Sequence, residues 1–418
     1  MSKLVIEGGR RLIGEVEIQG AKNSVLPILT ATIMCKGESV IHNCPNLSDV
    51  DVTIEILEYL GCKITRCGST ITVNPDGVNK SDIPDTLMRK MRSSIVFLGA
   101  LISRNGSARM SLPGGCELGP RPIDLHIDAM KQMGLRVDEG HGFMDCSTVS
   151  RLVGSNVALS FPSVGATENI LFSAVLANGT TVITNAAREP EVCDLANYLN
   201  KCGAKISGIG ESTLVVEGVS ELHGSEHEVI PDRIVAVTYM AAAAVTSGEL
   251  IIKNVLTDTM GALIPIFEEA GCMITDLGDN IIKLQASERP YSNKLIRTMP
   301  YPGFPTDAQA PVMSMAAVAC GTSVFVENIF ESRYKHVGEL LRLGADIKVE
   351  GKVAIVDGVR KLSGADVTAT DLRGAASLVV AGLGAEGRTN ISGLSHLDRG
   401  YENIEENFKN LGAVIKRV

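Results

Sequence analysis

Charged side chains recur at two fixed points of a repeating sequence pattern, and their types suggest anion chemistry. One point is the start of an apolar, Ala-rich stretch, which in six successive copies carries Lys22, Arg92, Thr167, Asp232 with Arg233, Asp307, and Asp371 with Arg373. The other is a loop after the next strand, which in four of the copies carries Arg121, Arg188, Arg333 and Arg399. Unpaired backbone N–H groups at helix starts add positive potential at the first point. On a chain with a net charge of −9, the pattern predicts a focused anion site.

One cysteine differs from the rest because of the loop that carries it. Cys116 lies in LPGGCELGPRP, from Leu112 to Pro122, where glycines and prolines predict a long exposed excursion. An exposed thiol near Arg121 and glycine-rich backbone is expected to have a lowered pKa and to be reactive. We therefore consider Cys116 a candidate catalytic residue, whereas His126 on the following helix is expected to be structural.

The carboxylates leave two interpretations open. Asp307, in FPTDAQAP, is either the N-cap of an apolar helix or part of the charged cluster at the helix starts, and Asp232 and Arg188 are expected to hold structure. Each arginine taken alone could be a solvated loop residue. Their recurrence at equivalent positions favours a shared function.

These residues are positioned by a repeat that ends in glycine. The six closing glycines lie 68 to 73 residues apart, at Gly61, Gly134, Gly203, Gly271, Gly344 and Gly412. Each copy contains an apolar helix, a β-branched strand such as ESVIHN, a polar loop, an amphipathic helix capped by the glycine, and further β structure. The sequence therefore predicts an α/β protein of six α-β-α-β-β repeats, in two domains of three repeats with helices enclosed by sheets.

The N-terminal strand suggests where the domains begin and end. Leu4 to Gly8 precedes the first repeat and is expected to complete the domain built by the last three. We predict a first domain over 21–230 and a discontinuous second domain over 1–20 and 231–418. Two chain crossings would then form a hinge beside a ligand cleft.

Composition excludes several classes of protein. The negative charge argues against nucleic acid as a partner, and the most apolar window, from Val237, is too short to cross a membrane. The ten cysteines form no CxxC pair, and no P-loop, GxGxxG or metal-binding spacing is present. We expect a cytoplasmic enzyme that acts on an anionic substrate without a cofactor or metal.

Several motifs resemble the UDP-N-acetylglucosamine 1-carboxyvinyltransferase family of enolpyruvyl transferases over essentially the whole chain. They are GAKNS from Gly20, MRSS from Met91, LPGGCELGPRPIDLHI from Leu112, NAAREPE from Asn185, FPTDAQA from Phe304, DLRGAASLV from Asp371 and LDRGYE from Leu397. The resemblance implies two inside-out, barrel-like α/β domains. It also implies transfer of the enolpyruvyl group of phosphoenolpyruvate to the 3′-hydroxyl of UDP-N-acetylglucosamine, in peptidoglycan synthesis and hence in cell-wall biogenesis and cell division.

The resemblance also assigns roles to residues. It implies that Cys116 is the general acid, the site of a phosphoenolpyruvate adduct and the target of fosfomycin, and that Asp307 is the base. Lys22, Arg121 and Arg399 would hold phosphate and carboxylate, while Asp371 would position catalytic groups and Arg373 would support the anion cluster. The residues expected around the UDP-sugar are Asn23, Arg92, Arg121, Pro122, Ile123, Asp124, Leu125, Ser163, Val164, Gly165 and Ile329. Phe161 and Pro162 stand near a position where family members often carry a lysine.

Three alternatives remain at this point. The first is enolpyruvyl transfer to another acceptor, such as shikimate 3-phosphate, and the second is a non-catalytic UDP-sugar-binding paralogue. The third, a structural repeat scaffold, is disfavoured because equivalent positions of the repeats carry different charges.

Overall fold

The computed structural model describes residues 2–111, 123–140 and 142–418. Their contacts divide the chain into two compact units. We call residues 20–111, 123–140 and 142–230 the N-terminal unit, and residues 2–19 together with 231–418 the discontinuous unit. Each unit contains three of the six repeats and a hydrophobic core of its own.

Each repeat begins with a helix that is buried along most of its length, which we call its core helix. Apolar and alanine side chains all round these helices require cover on every side. In the discontinuous unit the three core helices pack against one another, and Ser314 and Ser377 form a hydrogen bond of 2.6 Å there. The six core helices are Lys22–Ala31, Phe97–Asn105, Val164–Val175, Arg233–Val245, Thr306–Ala316 and Leu372–Gly384.

The second helix of each repeat, its outer helix, ends at the predicted glycine. All six glycines have φ between 89° and 111°, a conformation that disfavours residues with a Cβ. The outer helices are Ser48–Leu60, Asp124–Gln132, Pro190–Lys201, Ile264–Glu269, Val337–Arg342 and Ile404–Asn410. Shorter helical segments are Thr32–Met34, Asp85–Lys90, Arg92–Val96, Thr257–Thr259, Arg333–His336 and Leu397–Arg399.

Every repeat contributes its own small sheet. In the N-terminal unit the strands of the first sheet are, in spatial order, Glu226–Glu228, Ser39–His42, Thr70–Asn74 and Lys63–Cys67. Those of the second sheet are Ser107–Ser111, Phe143–Ser147 and Arg136–Gly140. Those of the third sheet are Asn156–Ala158, Thr180–Thr184, Thr213–Glu217 and Lys205–Ser207. Leu222–His223 also pairs with Cys35–Lys36.

The discontinuous unit repeats this arrangement. Its sheets are Ile13–Glu17, Glu249–Lys253, Ile281–Gln285 and Met273–Gly278; Leu295–Arg297, Thr322–Val326, Val353–Asp357 and Asp346–Glu350; and Asp366–Thr368, Arg388–Ser392, Leu4–Glu7 and Val414–Arg417. In the last sheet, Leu4 lies opposite both Ile391 and Arg417.

The α/β class and the enclosure of helices by sheets are confirmed. The sequence pattern missed one element, a short strand before the core helix. In three repeats this strand pairs in parallel with the strand after the helix, as Leu295–Arg297 does with Thr322–Val326. A three-residue strand is too short to show an alternating pattern. Within the described residues the sheets remain separate layers of four, three or two strands, with no closed barrel.

A close backbone approach at Gly358 gives a stability prediction. A Cβ there would lie 1.9 Å from the Ala319 carbonyl oxygen, whereas one at Gly338 would meet nothing within 4 Å. Gly358→Ala should therefore lower the free energy of unfolding by about 1–3 kcal/mol. Gly338→Ala, within an outer helix, should leave it unchanged or raise it by up to about 1 kcal/mol. Urea titration of both variants measures the difference, and equal stabilities would contradict the close approach.

Candidate functional site

In the discontinuous unit, the Asp307 carboxylate is held by two arginines. Arg333 Nη2 lies 2.9 Å from Oδ1, and Arg373 donates to Oδ2 from Nη2 at 3.0 Å and from Nε at 3.2 Å. The arginine side chains are 3% and 2% exposed, whereas that of Asp307 is 27% exposed. We call these three residues the carboxylate clamp.

Asp307 is not the N-cap of its helix. Pro305 occupies the cap position and provides no side-chain hydrogen bond, and Asp307 lies in the first turn. By contrast, Asp232 and Asp371 are N-caps, and each accepts hydrogen bonds from two backbone N–H groups of the helix that follows. The structural interpretation of Asp307 as a helix cap is therefore wrong, and its side chain is directed to ion pairing instead.

Arg373 is fixed on both sides of its guanidinium group. Nη1 donates to the Tyr401 hydroxyl at 3.3 Å, and that hydroxyl lies 2.9 Å from Thr238 Oγ1. Burial is the largest single effect and disfavours the charged guanidinium, but Asp307, Tyr401 and Asp232 together outweigh it, so the pKa of Arg373 is raised. A charged group that is this buried and paired has little freedom to move.

A buried glutamate joins Ile329 to the clamp. Glu327 Oε1 accepts from the backbone N–H groups of Ile329 at 2.8 Å and Phe330 at 3.0 Å, while Oε2 accepts from Thr306 Oγ1 at 3.0 Å. Arg333 also donates to the Thr306 carbonyl oxygen at 3.0 Å. The loop that carries Ile329 is thereby fixed beside the start of the Asp307 helix.

Asp371 and Arg399 lie beside the start of the helix that carries Arg373, which Asp371 caps. Arg399 is half-buried and ends the short helical segment Leu397–Arg399. The next residue, Gly400, packs so closely that a Cβ on it would lie 2.7 Å from Leu372 Cδ1. The structure thus brings together five predicted residues of this unit: Asp307, Ile329, Asp371, Arg373 and Arg399.

In the N-terminal unit, Lys22 is buried and paired. It begins the first core helix, and its Nζ lies 2.7 Å from Asp49 Oδ2 on the first outer helix. Both side chains are at least nine-tenths buried, so Asp49 restricts where the ammonium group can lie. Asn23, the next residue, is exposed.

A buried amide joins the elements that carry the other predicted residues of this unit within the described ranges. Asn169 Nδ2 donates to His126 Nδ1 at 2.9 Å and to the Ile95 carbonyl at 3.1 Å, and Asn169 Oδ1 accepts from the Gly99 N–H at 2.7 Å. Burial lowers the pKa of His126 to about 4, so its ring is neutral. These bonds join the segment after Arg92 to two helices, whose starts carry Ile123, Asp124 and Leu125, and Ser163, Val164 and Gly165.

Gly165 and His126 show how close this packing is. A Cβ on Gly165 would lie 3.0 Å from His126 Cε1, and Ser163 Oγ caps its own helix by accepting from the Ala166 N–H. The buried, bonded state of His126 agrees with the structural role that we expected for it. Cys116, Arg121 and Pro122, together with the Arg92 side chain, lie outside the described part of the chain.

Four residues were not expected from the sequence: Asp49, Asn169, Glu327, and His336, whose ring bonds to the Arg333 carbonyl oxygen. All four are buried polar side chains. Asp49 had a weak signal, since it stands in the first turn of an amphipathic helix on an otherwise apolar face. The other three have none, because their roles depend on contacts with segments remote in sequence.

None of the helices in the described ranges has the length and apolar character needed to span a membrane.

The family model described as EPSP synthase (3-phosphoshikimate 1-carboxyvinyltransferase) matches residues 6–408. A UDP-N-acetylglucosamine 1-carboxyvinyltransferase 2 of Caldanaerobacter subterraneus subsp. tengcongensis is 53% identical over 418 residues, and the alignment covers 100% of this chain and 100% of that relative. A UDP-N-acetylglucosamine 1-carboxyvinyltransferase 1 of Symbiobacterium thermophilum is 47% identical, with 100% of this chain and 95% of the relative covered.

Solved structures share the fold. The enolpyruvyl transferase NikO from Streptomyces tendae matches with a TM-score of 0.91 and 28% identity, covering 100% of this chain and 99% of that one. An EPSP synthase from Acinetobacter baumannii matches with a TM-score of 0.76 and 18% identity over 100% of both chains, a likeness of fold alone. Since the family model spans nearly the whole sequence, the chain belongs to the EPSP synthase (3-phosphoshikimate 1-carboxyvinyltransferase) family.

Proposed function

We propose that this chain transfers the enolpyruvyl group of phosphoenolpyruvate to the 3′-hydroxyl of UDP-N-acetylglucosamine and releases phosphate. The reaction would be the first committed step of peptidoglycan synthesis, carried out in the cytoplasm. Full-length relatives named for this transfer support the proposal. The structural observation that carries it is the partly exposed Asp307 carboxylate, held by two buried guanidinium groups.

The chemistry requires one acid and one base. Protonation of the phosphoenolpyruvate methylene carbon generates an oxocarbenium-like centre, which the sugar oxygen attacks as its hydroxyl loses a proton. We assign the acid to Cys116 and the base to Asp307. Loss of the carbon-bound proton and of phosphate from the resulting adduct then restores the enol double bond.

The clamp suits this base to its task. Two guanidinium groups favour the ionised form of a carboxylate, so Asp307 is ready to accept a proton at neutral pH. A carboxylate is a weak base, which is sufficient when the hydroxyl becomes acidic during attack on a cationic carbon. Fixed orientation, rather than basicity, is then the contribution of Arg333 and Arg373.

Cations at a helix start and in two loops would hold the substrates. Lys22, Arg121 and Arg399 would neutralise the phosphate and carboxylate of phosphoenolpyruvate, and Asp371 would position the catalytic groups. The surroundings proposed for the UDP-sugar are Asn23, Arg92, Arg121, Pro122, Ile123, Asp124, Leu125, Ser163, Val164, Gly165, Asp307, Ile329 and Arg373.

Phosphate release tests the reaction and its acceptor. We expect release from phosphoenolpyruvate only when UDP-N-acetylglucosamine is present, with none when shikimate 3-phosphate replaces it. Release with shikimate 3-phosphate alone would reassign the acceptor. Folded protein that binds UDP-N-acetylglucosamine but releases no phosphate would instead be a non-catalytic paralogue.

Cys116 variants test the general acid. Cys116→Ala should lower kcat by about 10²–10⁴-fold, the usual contribution of a general acid, and abolish both the phosphoenolpyruvate adduct and inhibition by fosfomycin. Cys116→Asp keeps an acid and should retain turnover while resisting fosfomycin. Mass spectrometry and phosphate release measure both, with Cys320→Ala, which removes an exposed thiol, as the control. Normal turnover by Cys116→Ala would detach this residue from the mechanism.

Asp49 offers a test of how Lys22 is oriented. Asp49→Asn removes a buried charge-assisted bond, an interaction that contributes about 1.5–3 kcal/mol, and should raise the KM for phosphoenolpyruvate by about tenfold or more. Asp51, exposed in the same helical turn and paired with Arg66 at 3.2 Å, provides the matched control Asp51→Asn. Steady-state kinetics of both variants decides the point, since equal effects would argue against a specific role for Asp49.

A further inference from the structure

His336 is a buried histidine that lies next to the backbone of both clamp arginines. It ends the short helical segment Arg333–His336 and is 1% exposed. Its Nδ1 lies 3.2 Å from the Arg333 carbonyl oxygen, which can only accept, so the ring carries its proton on Nδ1. The imidazole thus bonds to the main chain of one clamp residue.

The same side chain also packs against the helix start that carries the other clamp arginine. A Cβ on Gly374 would lie 3.0 Å from His336 Cβ and 2.7 Å from Asp371 Oδ2. Asp371 Oδ1 accepts from the N–H groups of Arg373 at 3.1 Å and Gly374 at 2.9 Å. His336 therefore adjoins the cap that fixes the Arg373 backbone.

The ring is neutral, which determines what it can do. Burial lowers the pKa of His336 to about 4, although the nearby Asp371 carboxylate partly opposes this shift. Among the described residues, Nε2 has no hydrogen-bond partner, so Nδ1 is the atom with a defined bond. A neutral ring can donate one hydrogen bond and support its neighbours by packing, but it cannot act as a cation beside Asp307.

We propose that His336 is a positioning residue for the carboxylate clamp, holding Arg333 by its Nδ1–H donor and the Arg373 helix start by contact. The inference rests on the proposed function, because the clamp matters only if Asp307 is the base. It acts through Arg333, which joins Asp307 to the Thr306 carbonyl. Movement of Arg333 would shift the carboxylate, and a displacement of about 1 Å can cost up to about 10²-fold in rate.

Two amide substitutions separate the two ring nitrogens. Asparagine places its amide N–H close to the position of Nδ1, whereas glutamine reaches the position of Nε2. His336→Asn should therefore keep the hydrogen bond to the Arg333 carbonyl oxygen. Because a neutral hydrogen bond contributes about 1 kcal/mol, a weakening of this bond should leave kcat within about threefold of that of the unmodified chain. His336→Gln should lower kcat by about 10–100-fold with little change in either KM. Lys335→Gln, at an exposed position of the same segment, is the control.

A double-mutant cycle with Arg333→Ala distinguishes positioning from packing. If His336 acts through Arg333, His336→Gln should have little further effect on kcat once Arg333 has been removed. Equal losses in the Asn and Gln variants, no loss in either, additive losses in the cycle, or failure of both variants to fold would each overturn the proposal. Absence of enolpyruvyl transfer by the unmodified chain would overturn the proposed function as well, so the two failures are distinguishable.

Discussion

Each repeat must hide a helix that is apolar on every side, and the rest of the fold depends on this constraint. A helix such as Arg233–Val245 exposes almost none of its length, so sheets, outer helices and other core helices must cover it. The start of the helix is where polar groups remain, because the first turn has unpaired N–H groups. Lys22, Asp307, Asp371 and Arg373 all occupy such starts. The residues to which we assign the chemistry are therefore concentrated where the packing constraint ends.

Much of this could be predicted from the sequence, since the signals repeat. The glycines after the outer helices, the β-branched strands and the apolar core helices all lie where their patterns indicated, because each pattern is local and occurs six times. Contacts between remote segments could not be predicted in this way. Glu327 and Asn169 look like ordinary strand-end and helix residues in sequence, and only folding brings Thr306 and His126 to them. For Asp307 the position at a helix start was predicted, but its pairing with Arg333 and Arg373 was not.

The carboxylate clamp is costly to bury. Two guanidinium groups that are 2–3% exposed have lost most of their hydration, and buried ion pairs often stabilise a fold no better than apolar residues would. The clamp receives support from Tyr401, Glu327 and His336, which is more than ion pairing alone requires. Such support is expected where the orientation of one carboxylate, rather than stability, is the property that matters.

The central claim is that the carboxylate held by Arg333 and Arg373 is the base for the acceptor hydroxyl. A crystal structure of the chain with bound UDP-N-acetylglucosamine tests it most directly. We predict that the 3′-hydroxyl oxygen lies about 2.6–3.2 Å from an Asp307 carboxylate oxygen while both arginines remain paired with that carboxylate. A fully bound sugar whose 3′-hydroxyl donates to another residue, with Asp307 beyond hydrogen-bond reach, would contradict the account.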